Sequence, residues 1–417
     1  SKLTLRHTLE IGAETMSDVH PQTIQDIPWH FLTKLMALNR TALNTHYESD
    51  TQIINFNESN LIFDTSMIEG KSSSTESIHP LDVLCVVIHC SDSFLQQEIV
   101  TKMAMCQFSV PLLLPAGDGS QCTFMLWAMR DIVKKWRPQS LADSKGFSEE
   151  NVVNIPMPIF SFIRLGDTKL SKSKILNQVL NSTQQQHNVF IHDDMEGGNI
   201  ERKISDGLVE MSWYFPCGKS DVFPEPITVT NLRGDLETNW EQFTFLTRVS
   251  SAVFIFIESI SEIQFRLLSS CSNTGTEFYL IVTPEKGKKV SMETSKHIKN
   301  LMTILKMNAT NIILKTSTEN DAALVRKIQN SIENVIKNCQ GKKQNLCRAT
   351  NEIQSLHIFV DENSDECQKA KENASKITSA IKDVEEYKRE TLKLQGDLWK
   401  ELSKVEKELC RMAKQGA

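Results

Sequence analysis

Between residues 151 and about 315, short apolar runs rich in β-branched and aromatic residues alternate with amphipathic stretches of helical period. The runs lie at 159–165, 208–215, 227–230, 252–257, 278–282 and 311–314. Strand-like runs spaced by helical material predict a mostly parallel sheet covered by helices. One pair departs from this pattern. The runs at 208–215 and 227–230 flank the turn Pro216-Cys-Gly-Lys-Ser-Asp221, which predicts an antiparallel hairpin at one edge of the sheet.

The flanks read differently. In 1–60, Ile24, Ile27, Phe31, Leu35 and Leu38 share one face at helical spacing, and Pro28 requires the helix to begin near it. The polar stretch 70–77 reads as a loop, and 78–136 resumes as apolar helical material. The polar segment 137–150, opened by Pro138, is the best candidate boundary. Beyond 365 the chain interleaves Lys and Glu, with Leu398, Leu402, Val405, Leu409 and Met412 in a 4-3-4-3 spacing. That stripe is expected to pack on the N-terminal helical region, with an oligomeric coiled coil as the alternative. The division is therefore 1–150 mainly helical, 151–345 α/β, and 346–417 helical.

The first α/β run leads into Gly166-Asp-Thr-Lys-Leu-Ser171-Lys172-Ser173 and then a helix. A phosphate-binding P-loop reads Gly-x-x-x-x-Gly-Lys-Ser/Thr in this setting, with backbone N–H groups around phosphate, lysine on the β/γ oxygens and hydroxyl on Mg²⁺. Gly166, Lys172 and Ser173 fit, while Ser171 stands where the second glycine belongs and crowds the approach of phosphate. The Gly218-Lys-Ser sequence is a decoy, because it lies in the hairpin turn and Trp213 replaces the first glycine. After the third run an Asp-x-x-Gly is expected, and Asn231-Leu-Arg-Gly234 is found. An amide there holds a divalent cation less well than a carboxylate. After the fifth run the guanine-reading Asn/Thr-Lys-x-Asp is replaced by Thr283-Pro-Glu-Lys286, without the aspartate. The site residues are thus a vestigial P-loop (Gly166, Ser171, Lys172, Ser173), a vestigial switch II (Asn231, Gly234) and a vestigial base loop (Thr283, Lys286). No catalytic residue, metal or cofactor is assigned, the alternative being GTP with Mg²⁺.

Composition removes other classes. A net charge of −6 gives no reason to expect nucleic acid, and 40% apolar with 24% charged residues is ordinary for a globular protein. Ten cysteines lack paired spacing, and Cys85-x-x-x-His89-Cys90 falls in an apolar run without a second ligand pair, so core residues are expected there. His192-Asp193-Asp194, the one ligand-like cluster in the polar stretch 181–207, reads as solvated loop. With no membrane-length apolar run and no signal-peptide pattern, an intracellular protein is expected.

Several segments together resemble the family of very large interferon-inducible GTPases and up-regulators of cell proliferation. They are His79-Pro-Leu-Asp82, residues 106–115, Leu126-Trp-Ala-Met-Arg130, Arg164-Leu-Gly-Asp167, residues 204–210, Asn231-Leu-Arg-Gly-Asp235, and Leu398-Trp399 with Glu406-Lys-Glu408. Ser171 points to a degenerate branch of that family. The resemblance implies a P-loop GTPase-like α/β domain flanked by N- and C-terminal helical regions. It further implies a cytoplasmic modulator of innate immune and apoptotic signalling through NF-κB. The implied partners are proteins, such as receptor-interacting protein kinases and microtubules, and a homodimer is allowed. The damaged motifs make the expected function that of a pseudoGTPase scaffold and not an enzyme. The alternative is a GTP-binding member that switches or assembles on nucleotide.

Overall fold

The computed structural model describes residues 2–8, 21, 23–48, 77–117, 121–141, 146–181, 187–218, 221–272, 274–284, 289–316, 318–338, 343–392 and 396–415. The loop read at 70–77 lies outside them but for Ser77. The chain forms two compact units, 1–362 and 363–417.

The first unit opens with helices α1 (Leu5–Thr8) and α2 (Ile27–Met36), strands β1 (Tyr47–Glu48) and β2 (Ser77–Ile78), and helices α3 (Pro80–Cys90) and α4 (Ser93–Met105). Pro28 sits in the first turn of α2, where its missing N–H costs no hydrogen bond; Ile27, Phe31 and Leu35 of the expected face are buried, while Ile24 and Leu38, beyond the two ends of the helix, are exposed. Strands β3 (Val110–Leu114) and β4 (Cys122–Phe124) follow, then β5 (Val133–Trp136) and β6 (Ser148–Asn151), which pair as a separate hairpin. The α/β portion runs β7 (Ile159–Leu165), α5 (Lys172–Leu180), β8 (Val209–Tyr214), β9 (Ile227–Leu232), α6 (Trp240–Val249) and β10 (Ala252–Ile257). It continues through α7 (Glu262–Ser269), β11 (Glu277–Val282), α8 (Met292–Ile304), β12 (Ile312–Leu314) and α9 (Asp321–Asn338). Helix α10 (Leu346–Ile353) and strand β13 (Ile358–Val360) complete it.

Nine strands form one sheet in the order β12-β11-β10-β7-β9-β8-β3-β4-β13. From β12 to β9 every neighbour is parallel. Buried parallel strands must be apolar on both faces, and the alternation within each run divides the core in two. Ile163 and Leu165 of β7 with Val253, Ile255 and Ile257 of β10 face the layer containing α6 and α8. Phe160, Phe162, Phe254 and Phe256 face α5 and α9, where Ile175, Val179, Ile328 and Ile332 meet them. Phe254 stacks between Phe162, 4.8 Å away, and Tyr279, 4.6 Å away, tying three strands together. The architecture is an α/β domain with a mostly parallel P-loop GTPase-like sheet and flanking helices.

Two expectations about the sheet need correction. The hairpin of β8 and β9 is antiparallel as read, but it is internal, because β3 pairs with the outer side of β8. The sheet also recruits β3 and β4 from the segment read as mainly helical and β13 from the one read as helical, so it crosses the divisions at 150 and 345. The run through β3 carries no period to separate a buried strand from a helix, and Pro111 is tolerated because the register shifts beside it.

The second unit holds helices α11 (Asp365–Thr378), α12 (Val384–Thr391) and α13 (Asp397–Gln415). The stripe expected to be buried is exposed, with Leu398 at 80% and Leu402 at 48%. Heptad spacing establishes that a face is apolar without establishing what covers it, and that expectation went beyond the pattern.

Candidate phosphate-loop site

Strand β7 delivers Gly166 to the carboxyl edge of the sheet, where parallel strands of α/β proteins present their binding loops. Gly166 has φ +71°, a region that L side chains avoid, and its N–H donates to Asp235 just beyond β9. Gly234 (φ +87°) has no room for a side chain, since a Cβ there would lie 2.1 Å from the Asp206 carboxylate. These two glycines shape the loops. Ser171, the departure from the motif, takes an ordinary extended conformation at the N-cap of α5 (φ −70°, ψ 99°), so the substitution is not strained.

Lys172 and Ser173 open α5 and are both buried. The Lys172 ammonium donates to the carbonyls of Phe162 on β7 and Leu232 on β9. Burial pushes its pKa well below the usual lysine range, and repulsion from Arg233, Arg164 and Arg202 adds to that shift. The Ser173 hydroxyl oxygen accepts two hydrogen bonds, from Asn231 Nδ2 at 3.1 Å and from Arg233 Nη1 at 2.8 Å. Arg233 in turn pairs through Nε with Glu210 on β8, a carboxylate that also accepts from Asn231 Nδ2 at 3.2 Å and Ser109 Oγ at 2.7 Å. Arg233 and Glu210 are 5% and 1% exposed, so the pair is fully internal.

The space left is small. A cavity of about 90 Å³ is lined by Arg164, Ser171, Lys172, Ser173, Arg233 and Gly234 among others. Ligand pockets run to roughly 300–1,000 Å³. The structure places Ser171, Lys172 and Ser173 beside Asn231, Arg233 and Gly234 at this cavity. Of the two base-loop residues, Thr283 is buried with its N–H on Ile257 O at 2.9 Å and does not line the cavity. Lys286 lies outside the described residues. Nor is the 192–194 cluster plain solvated loop, because His192 is buried and Asp194 pairs with Lys174 at 2.6 Å.

These residues do not fit Mg²⁺. The hydroxyl that would ligate the ion has both lone pairs occupied, an amide replaces the supporting carboxylate, and a guanidinium contacts the hydroxyl that a metal would bind. No group of three or more His, Cys, Asp or Glu side chains arranged for a metal occurs among the described residues. Sequence reasoning missed Glu210 and Arg233. Their signal was an acid inside an apolar strand and a cation two residues after the lost carboxylate.

Fold and site together define a GTPase-like α/β protein whose phosphate loop is bonded to its own side chains. The model of the Up-regulator of cell proliferation-like domain matches residues 78–378, and that of the Up-regulator of cell proliferation-like N-terminal domain matches 1–59. The chain belongs to this family. It is 38% identical to the Up-regulator of cell proliferation of Bos taurus over 99% of its length, covering 46% of that protein. Human Caspase recruitment domain-containing protein 6 matches 67% of the chain at 36% identity, covering 27% of that protein. Mouse Interferon-induced very large GTPase 1 matches 95% at 28%, covering 17% of its own length. The chain therefore spans about half the length of the up-regulators it matches. Among the described residues, no helix is long and apolar enough to cross a membrane.

Proposed function

We propose that this chain is a GTPase-like interaction module that acts in regulatory signalling without hydrolysing GTP. One observation carries the reading. Both lone pairs of the Ser173 hydroxyl are taken up by Asn231 and Arg233, so the residue that would ligate Mg²⁺ in phosphoryl transfer offers it no free lone pair. The relatives named for cell proliferation and interferon induction support an output in growth or innate immune control. Its partners on this reading are cytoplasmic proteins, and NF-κB activity, receptor-interacting kinases and microtubules are the first to test.

The test is a thermal melt with GTPγS, with and without Mg²⁺. A ligand present at a hundred times its Kd and bound only to the folded state adds about 2.7 kcal/mol. No Mg²⁺-dependent rise in melting temperature is expected. A rise that EDTA abolishes would instead establish the second reading, a member that switches on nucleotide.

A further inference from the structure

Helix α13 presents its five apolar stripe residues to solvent, from 48% exposure at Leu402 to 80% at Leu398. The 4-3-4-3 spacing makes them successive d, a, d, a and d positions of a heptad. Fixing that register also fixes the flanks. Glu401 and Glu408 fall at g and Glu406 at e, so the apolar seam is bordered by acid on both sides. The bases are displaced to the back, where Lys400 and Lys407 take f positions and Lys404 and Arg411 take c. At the N-terminal end of the seam, Trp399 occupies an e position and is half exposed.

This segregation decides what can cover the seam. In a parallel pair of copies, g of one helix meets e of the next heptad on the other, which sets Glu401 against Glu406. In an antiparallel pair g meets g, which sets Glu401 against Glu408. Both self-pairings oppose like charges at the border of a two-heptad seam. Helices that lie on anionic membranes carry Lys and Arg on the polar side with apolar residues on the other, and acid beside the apolar face repels such a surface.

We propose that α13 is a docking helix for an amphipathic helix of another protein whose own e and g positions carry Lys or Arg. The partner's bases pair with Glu401, Glu406 and Glu408 while its apolar residues fill the seam around Leu402 and Val405. Trp399 is the anchor at one end, in keeping with the weight of aromatic anchors at interfaces. The seam from 398 to 412 is about 21 Å long, so the complex is a short coiled coil that forms and dissociates readily. The proposal does not depend on how the phosphate loop is read.

Two labelled synthetic helices with the same Leu/Val seam test it, one with Lys and one with Glu at every e and g position. Each is titrated against the full chain by fluorescence polarisation. The lysine peptide should bind, with the glutamate peptide at least about tenfold weaker. Added salt should narrow the difference, since exposed charge pairs are screened. The variant Glu401→Lys/Glu406→Lys/Glu408→Lys should reverse the preference, with circular dichroism and melting unchanged because all three positions are exposed. Equal binding of the two peptides, or binding of neither, overturns the proposal. So does sedimentation equilibrium showing self-association that Leu402→Asp abolishes, which would make a second copy the occupant. Cosedimentation with phosphatidylserine vesicles overturns it in favour of a membrane. A large loss of stability in Leu402→Asp would show that the seam is covered within the chain, and overturns it equally.

Discussion

Replacing Glu210 tests whether the phosphate-loop site is built from protein groups alone. The carboxylate is 1% exposed and accepts from Ser109, just before β3, and from Asn231 and Arg233 at the end of β9, so it ties two distant segments of the chain to its own strand. In Glu210→Ala the Arg233 guanidinium stays buried without its counter-ion, close enough to Lys172 and Arg202 to repel them. Removing one member of a buried ion pair costs about 3–5 kcal/mol, because the other charge is left uncompensated. Unfolding entropy of about 2.1 cal/mol/K per residue, over the unit ending at Glu362, converts the middle of that range to a fall in Tm of about 5 °C. Arg233→Met should be costly for the converse reason. The double variant Glu210→Met/Arg233→Met removes both charges at similar volume and should recover most of the loss, giving a coupling of at least about 2 kcal/mol. Urea denaturation followed by circular dichroism measures all three. A single-variant cost below about 1 kcal/mol, or a double variant no better than the sum of the singles, would show that the pair does not organise the site.

The remaining predictions address the sheet, a loop clamp and the response to acid. Phe254→Ala removes the middle ring of the Phe162–Phe254–Tyr279 stack and should cost about 3–5 kcal/mol in the same assay, while Phe254→Leu should cost well under half of that. Asp82 accepts from the N–H groups of Lys203, Ile204 and Ser205 and from the Ser205 hydroxyl, so Asp82→Ala should release that loop and speed tryptic cleavage after Arg202 or Lys203. His79 is held down to about 4 by burial first and then by Arg202 and Arg233, and its Nδ1 accepts from Leu81 N–H at 2.9 Å. A histidine whose folded pKa is depressed binds fewer protons when folded, so stability is lost as pH falls from about 6.5 to about 4, by up to about 3 kcal/mol. Asp361, raised to about 6 by burial, acts in the opposite sense over an overlapping range, so the measurement is the difference between wild type and His79→Asn across that window. That difference should shrink as the pH falls.

How much was legible in the chain follows from the range of the interactions. β7 and β10 were read to their ends, because a strand buried on both faces is apolar throughout and stands out from its flanks. The P-loop and switch II followed as local motifs attached to those strands, and the structure brings them together. β13 did not, since its three residues pair with β4 more than two hundred positions earlier and carry no local sign of it. The pairing of Glu210 with Arg233 was hidden for a related reason. The acid in an apolar strand and the cation after the lost carboxylate are each a sign of something unusual but not of each other, and only the register Glu210↔Asn231 brings them side by side. The exposure of the α13 stripe was beyond reach because periodicity carries no information about the partner.

The presence of Lys172 and Ser173 in a loop that lacks its second glycine is itself accounted for by the network. In a loop that binds nucleotide, the lysine and the hydroxyl face a ligand. Here the ammonium joins the carbonyls of Phe162 and Leu232, and the hydroxyl receives Asn231 and Arg233. Lys172 therefore bridges β7, α5 and β9, and Ser173 ties α5 to the end of β9, structural roles that persist whether or not phosphate arrives. Asn231 and Arg233 act as a matched exchange: the first gives up the carboxylate that would hold a divalent cation, and the second supplies a cation that is covalently part of the chain. A bound ligand shifts a conformational equilibrium only by the difference in its affinity for the two states. To reach Ser173, Mg²⁺ would have to displace a guanidinium that remains paired with Glu210, at the cost of leaving that carboxylate buried and uncompensated. On the proposed reading, the charge that a nucleotide-bound metal supplies elsewhere is permanent here, so the surfaces around β9 are fixed and not switched.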